Sequence, residues 1–139
     1  AKTSMMFDPN ESLKFEGDTG PYVLYAYARI ASMLRKGGEE SGEHIDWSVL
    51  GTAEERALAL KCAAYGECIR QAAERFDASV LANYLLELAK AFSQFYRECP
   101  VLSAEPARLR PARLALSRSV RNILRDGLET LTIAVLESM

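Results

Sequence analysis

At 139 residues the chain has the size of one domain and enough length to bury a core without metal or disulfide support. Its 49% hydrophobic and 26% charged residues exclude a disordered chain, and its formal net charge of −2 excludes a uniformly basic nucleic-acid binder. Three cysteines, an odd number without Cys-x-x-Cys spacing, suggest neither a disulfide framework nor a zinc site.

Residues 1 to 19 carry Pro9, Gly17 and only scattered apolar positions, which reads as a connector. Beginning at Ala1 without a methionine, the chain is expected to be a piece of a longer protein, with the connector leading from an upstream domain. The body of the domain is expected over 20–139. Asp18 or Thr19 supplies an N-cap and Pro21 suits a first turn, so a helix is expected from Pro21 to Lys36, closed by Gly37-Gly38. Val23, Ala26, Tyr27, Ile30, Met33 and Leu34 form its core stripe. Tyr22, Tyr25 and Arg29 recur at i, i+3 and i+7 on a neighbouring face, a candidate contact surface.

The polar stretch from Gly37 to Gly51 reads as a loop, with Trp47 expected to pack down on the bundle. Thr52-Ala53-Glu54-Glu55 spells a capping box, opening a second helix that should stop near Tyr65-Gly66. A third helix is expected from Glu67 to Phe76, with Cys68, Ile69, Ala72 and Ala73 inward, and Asp77 or Ser79 restarts the chain. From Ala78 to Arg97 the positions Leu81, Tyr84, Leu85, Leu88, Phe92 and Phe95 step by three and four, which predicts a central core helix. Cys99-Pro100 ends it, and a last helix starts at Pro106 or Pro111. The expected fold is all-α, a bundle of about five helices.

Charge is distributed unevenly. Six arginines and no acid fall between Pro106 and Arg125, leaving 11 basic against 19 acidic residues elsewhere. Such a strip on an acidic body is the pattern of a localised anion contact. On the last helix Leu109, Ala112, Leu116, Val120, Ile123 and Leu124 project to one side, and Arg118, Arg121 and Arg125 converge opposite. Arg113 projects among the apolar residues, so it should be buried against an acidic or carbonyl partner.

Catalytic signals are weak. His44 is the only histidine, the pairs Glu39-Glu40 and Glu54-Glu55 read as loop and capping residues, and no Gly-rich phosphate loop occurs. The longest apolar run, Val23–Ala28, is far short of the roughly 20 residues of a membrane span. The cysteines read as buried thiols of a reduced, cytoplasmic protein.

The wording Phe15-Glu16-Gly17-Asp18-Thr19-Gly20-Pro21-Tyr22, followed by Tyr25-Ala26-Tyr27-Ala28-Arg29-Ile30, resembles the entry into the C-terminal anticodon-binding domain of arginyl-tRNA synthetases. Two further stretches resemble the same family in the same order. Leu81-Ala82-Asn83-Tyr84-Leu85, running on to Phe92, Phe95 and Tyr96, is one, and Arg113-Leu114 through Asp126-Gly127-Leu128, in the region that names the DALR domain, is the other. The final residues keep Glu137 and Met139 of the family ending while lacking its Gly, Pro and Arg.

The resemblance implies binding of the anticodon stem-loop of arginine tRNA through phosphate contacts and stacking of loop bases. RNA-contacting candidates are Tyr22, Tyr25 and Arg29, Tyr96 at the end of the central helix, the Arg118, Arg121 and Arg125 face, and Met139. Neither the His-x-Gly-His-type nor the Lys-Met-Ser-Lys-Ser-type sequence of class I synthetases is present, so the chain alone is expected to be inactive and to hold no cofactor. ATP would belong to the catalytic domain upstream in the same polypeptide. The domain is expected to be a monomer. Two other readings stand beside this one: a helical protein-interaction module, including a free-standing relative of the domain, and a small helical enzyme.

Overall fold

The computed structural model describes residues 20–38 and 44–138, with side chains as far as residue 132. The expected connector over 1–19 and the candidate Met139 lie outside the described residues. Among the described residues the architecture is five α-helices and a single 3-10 turn.

Helix α1, Gly20–Gly37, buries Val23, Ala26, Ile30, Met33 and Leu34, with Tyr27 packed half-buried beside them. Gly37 ends it in a tight place, since a Cβ there would lie 2.9 Å from Leu102 Cδ2. A side chain there would require the Leu102 methyl to shift.

The segment after α1 departs from expectation at Trp47, which is 53% exposed. Asp46 caps a short turn, Trp47–Val49, by accepting from the Ser48 backbone N–H at 3.0 Å. That cap turns the indole outward, and Leu50 packs against the core instead.

The capping box forms as the sequence spells it: Thr52 Oγ1 accepts from the Glu55 backbone, and Glu55 Oε1 accepts from the Thr52 and Gly51 backbones. It opens α2, Ala53–Ala63. The next boundary falls at Ala64, which serves as C-cap of α2 and N-cap of α3, Tyr65–Arg75. Gly66 therefore lies inside the first turn of α3, where backbone N–H groups need no intrahelical partner, and does not break the helix. Ala73, expected inward, is exposed, and Cys68 is the buried residue of α3. Phe76 leaves α3 in the left-handed region at φ 49°, and Asp77 caps α4 by accepting from the Ser79 backbone.

Helix α4, Ala78–Glu98, is the central element and packs on α1, α2, α3 and the last helix. All six expected core positions are buried, together with Ala89. The last helix, α5, runs Leu109–Ser138, so Pro111 sits in its first turn, where its missing N–H leaves no bond unmade. Every residue from Ala112 to Ser117 is buried, a wider belt than the one-sided stripe expected there. Farther along, Gly127 brings α5 against α4, because a Cβ would meet Leu85 Cδ2 at 2.6 Å.

Of the three cysteines, Cys68 and Cys99 are buried, whereas Cys62 is half-buried and not fully enclosed. Burial still pushes the Cys62 thiol up to about 11. No helix among the described residues is long and apolar enough to cross a membrane.

Candidate nucleic-acid interface

The six arginines near the start of α5 do not act as one strip. Arg110 is a clamp, donating from Nη2 to the Gly37 carbonyl at 2.9 Å and from Nη1 to the Leu102 carbonyl at 3.2 Å. It satisfies the Gly37 carbonyl at the end of α1, which has no intrahelical donor, and ties it to the loop after α4. Arg113 is buried, with Nε 2.7 Å from Glu55 Oε2 and Nη1 donating to the Pro100 carbonyl at 2.7 Å. Its projection called for an acidic or a carbonyl partner, and it has one of each. These two arginines fasten the fold, as expected for Arg113, and the basic strip available for an anion contact does not include them.

Arg118 and Arg121 are half-buried on α5 and Arg125 is exposed. Arg121 Nε and Arg125 Nη2 each donate to the Asn122 side-chain oxygen at 3.3 Å. The three guanidinium groups stay outside the buried belt, as the helical projection requires.

A second surface forms where α1 crosses the C-terminal half of α4. Tyr22 and Tyr96 are 40% exposed and Tyr25 is 65% exposed. The Tyr22 hydroxyl donates to Ser93 Oγ at 3.1 Å, tying the start of α1 to α4. Tyr96 stacks on Phe92, with centroids 5.8 Å apart, so one face of its ring is held by the core. The Arg29 guanidinium lies 5.0 Å from the Tyr25 ring centre and 5.3 Å from that of Tyr96. One cation thus bridges aromatic rings from two helices, a contact worth roughly 0.5 to 1 kcal/mol at an exposed site.

Two cavities open on this surface. One, of about 380 Å³, is lined by Tyr22, Tyr25, Ala26, Arg29, Phe92 and Ser93. The other, of about 360 Å³, runs along α1 from Tyr25 and Arg29 to Lys36, with Tyr96 and Leu102 opposite. Rigid aromatic walls with an arginine between them offer stacking faces and charge-assisted donors, the chemistry that takes an unstacked base.

The structure therefore joins Tyr22, Tyr25, Arg29 and Tyr96 into one site, and the arginine trio of α5 lines neither cavity. Sequence reasoning overlooked Ser93, Lys36 and Leu102, and named Phe92 only as the core residue it also is. Ser93 had a legible signal, lying three residues before Tyr96 on the same helical face. Leu102 had none, because a loop residue carries no periodicity. Among the described residues no group of His, Cys, Asp and Glu is arranged to hold a metal.

Residues 23–139 match the family model described as the DALR anticodon binding domain. The chain is 43% identical over 135 residues to an arginine–tRNA ligase of Bdellovibrio bacteriovorus, a match covering 97% of this chain and 23% of that protein. It is 40% identical to the corresponding ligase of Treponema denticola, covering 99% of this chain and 24% of that one. Among solved structures it resembles Thermus thermophilus arginyl-tRNA synthetase with a TM-score of 0.74 and 45% identity, covering 86% of this chain and 21% of that one. The chain thus spans under a quarter of the length of these relatives. With its helical architecture and three family-like stretches, it belongs to the family of DALR anticodon-binding domains, in the form found in arginyl-tRNA synthetases.

Proposed function

We propose that this domain docks the anticodon stem-loop of arginine tRNA, splaying its loop so that unstacked bases enter the surface between α1 and α4. The observation that carries this reading is the convergence of Tyr22, Tyr25 and Arg29 on α1 with Tyr96 on α4. Bases stack on the tyrosine rings, and Arg29 donates to base edges or phosphate oxygens. Arg118, Arg121 and Arg125 contribute phosphate contacts along α5, which add affinity without reading sequence. Met139, by its likeness to the family ending, contacts the loop near its bases.

The domain positions RNA and does no bond chemistry. Activation of arginine with ATP belongs to a catalytic domain upstream in the same polypeptide, consistent with relatives more than four times as long. No cofactor is assigned to this chain, which acts as a monomer in the cytoplasm.

Tyr96→Ala tests the reading in a binding titration with labelled arginine tRNA. Loss of one stacking contact should weaken binding by roughly 1 to 3 kcal/mol and leave the salt dependence unchanged. Equal binding by parent and variant would remove Tyr96 from the interface and the central observation with it.

A further inference from the structure

The cavity of about 360 Å³ has two chemically different ends. Tyr25, Arg29 and Tyr96 form the aromatic end. At the other end stand Ser32 and Lys36, the next residues of α1 on the same face, and among the described residues no carboxylate lines the cavity. Lys36 is exposed, and among the described residues neither it nor Arg29 enters an ion pair.

The C-terminal end of a helix ordinarily repels anions, because its last carbonyls carry partial negative charge. Here Arg110 bonds the carbonyls of Gly37 and Leu102, so a fixed positive charge sits where repulsion would arise, beside the Leu102 wall. Side chains on a helix lean toward its N-terminus, which directs Lys36 back over the turn of Ser32. Arg29 and Lys36 are seven residues apart, about 10 Å along the axis, a span suited to a base and its adjoining phosphate.

We propose that Lys36 and Ser32 form a phosphate subsite. It holds the backbone phosphate adjoining the base that occupies the Tyr25–Tyr96 end, with Lys36 Nζ pairing a phosphate oxygen and Ser32 Oγ donating to it. Holding base and phosphate at opposite ends of one cavity fixes the direction in which the single strand crosses α1. The inference rests on the RNA-binding reading given above and extends it to a new contact.

The test titrates labelled arginine anticodon stem-loop against the chain and against Lys36→Gln and Lys36→Arg over a range of salt. Lys36→Gln should weaken binding several-fold at low salt and reduce the slope of log affinity against log salt by about 0.7, one single-strand phosphate. Lys36→Arg should restore the slope. Stem-loops with one loop phosphate replaced by a neutral methylphosphonate, taken in turn, should include one that weakens the parent and leaves Lys36→Gln unaffected. Strong binding by the parent with the same slope in Lys36→Gln would overturn the subsite while leaving the stacking surface in place. Failure of the parent itself to bind would overturn the RNA reading and this inference together.

Discussion

Glu55 and Arg113, 58 residues apart, meet in the core at 2.7 Å, with side chains 1% and 8% exposed. One oxygen of Glu55 closes the capping box of α2, and the other binds the arginine of α5. Arg113 carries the bond onward to the Pro100 carbonyl, so one buried pair ties α2, α5 and the turn after α4. Removing one partner strands the other charge. Arg113→Ala should cost about 2 to 4 kcal/mol in denaturant unfolding, whereas removing both charges, as Glu55→Leu with Arg113→Met, should cost less than either single change predicts. An unchanged melting temperature in Arg113→Ala would refute the pair's role.

The same carboxylate gives the fold an acid limit. Burial pushes the Glu55 carboxyl up, but the Thr52 backbone, Arg113 and the Gly51 backbone outweigh it and hold it below the usual carboxylate range. A depressed folded value means that the unfolded chain takes up the proton first as pH falls. The stabilisation is present above the ordinary glutamate range and is lost as pH drops through the depressed value. Glu55→Gln should flatten the acid limb of stability against pH, measured by thermal melts from pH 7 downward. A limb of undiminished steepness in that variant would assign the loss to other groups.

At Gly127 two effects compete. Alanine would favour the helix by about 1 kcal/mol, yet its Cβ would meet Leu85 Cδ2 at 2.6 Å. Leu85 is fully buried and the added Cβ would also lie 2.9 Å from its Cδ1 and 3.1 Å from its Cγ, so overpacking at about 1 to 3 kcal/mol wins. Gly127→Ala should lower stability, and shortening Leu85 in the same chain should recover part of the loss. A rise in melting temperature for Gly127→Ala would show that the interface can yield.

Charge and stacking should separate cleanly in binding. Replacing Arg118, Arg121 and Arg125 together by Gln should reduce the magnitude of the salt slope by about 2 to 3 while far-ultraviolet circular dichroism keeps its helical signature. Identical binding by parent and triple variant at low salt would make the trio ordinary solvated surface and leave affinity to the α1 face.

The helices were legible where one periodicity ran unbroken. Leu81 to Phe95 showed the central helix, Thr52 with Glu55 its neighbour's start, and the projection of Arg113 its burial and need for a partner. Legibility failed where tertiary geometry decided. Trp47 was expected inward on hydrophobicity, but the Asp46 cap sets the direction of its turn. Gly66 looked like a stop, but Ala64 already made the break. Projection set Arg113 apart from the Arg strip, but neither projection nor charge counting distinguished Arg110, held by the Gly37 and Leu102 carbonyls, from residues facing out. At the interface each helical face could be read alone. That Tyr96 would stand over Arg29 depends on how α4 crosses α1, which no local pattern encodes.

The most direct measurement is a side-by-side titration of labelled arginine tRNA and a non-cognate tRNA against this chain at fixed, near-physiological salt. Phosphate contacts alone would bind both equally, whereas bases held between Tyr22, Tyr25, Arg29 and Tyr96 should favour the cognate loop. Arginine tRNA should bind more tightly, with the preference lost in Tyr25→Ala and Tyr96→Ala. Equal affinity for the two RNAs in the parent chain would contradict this.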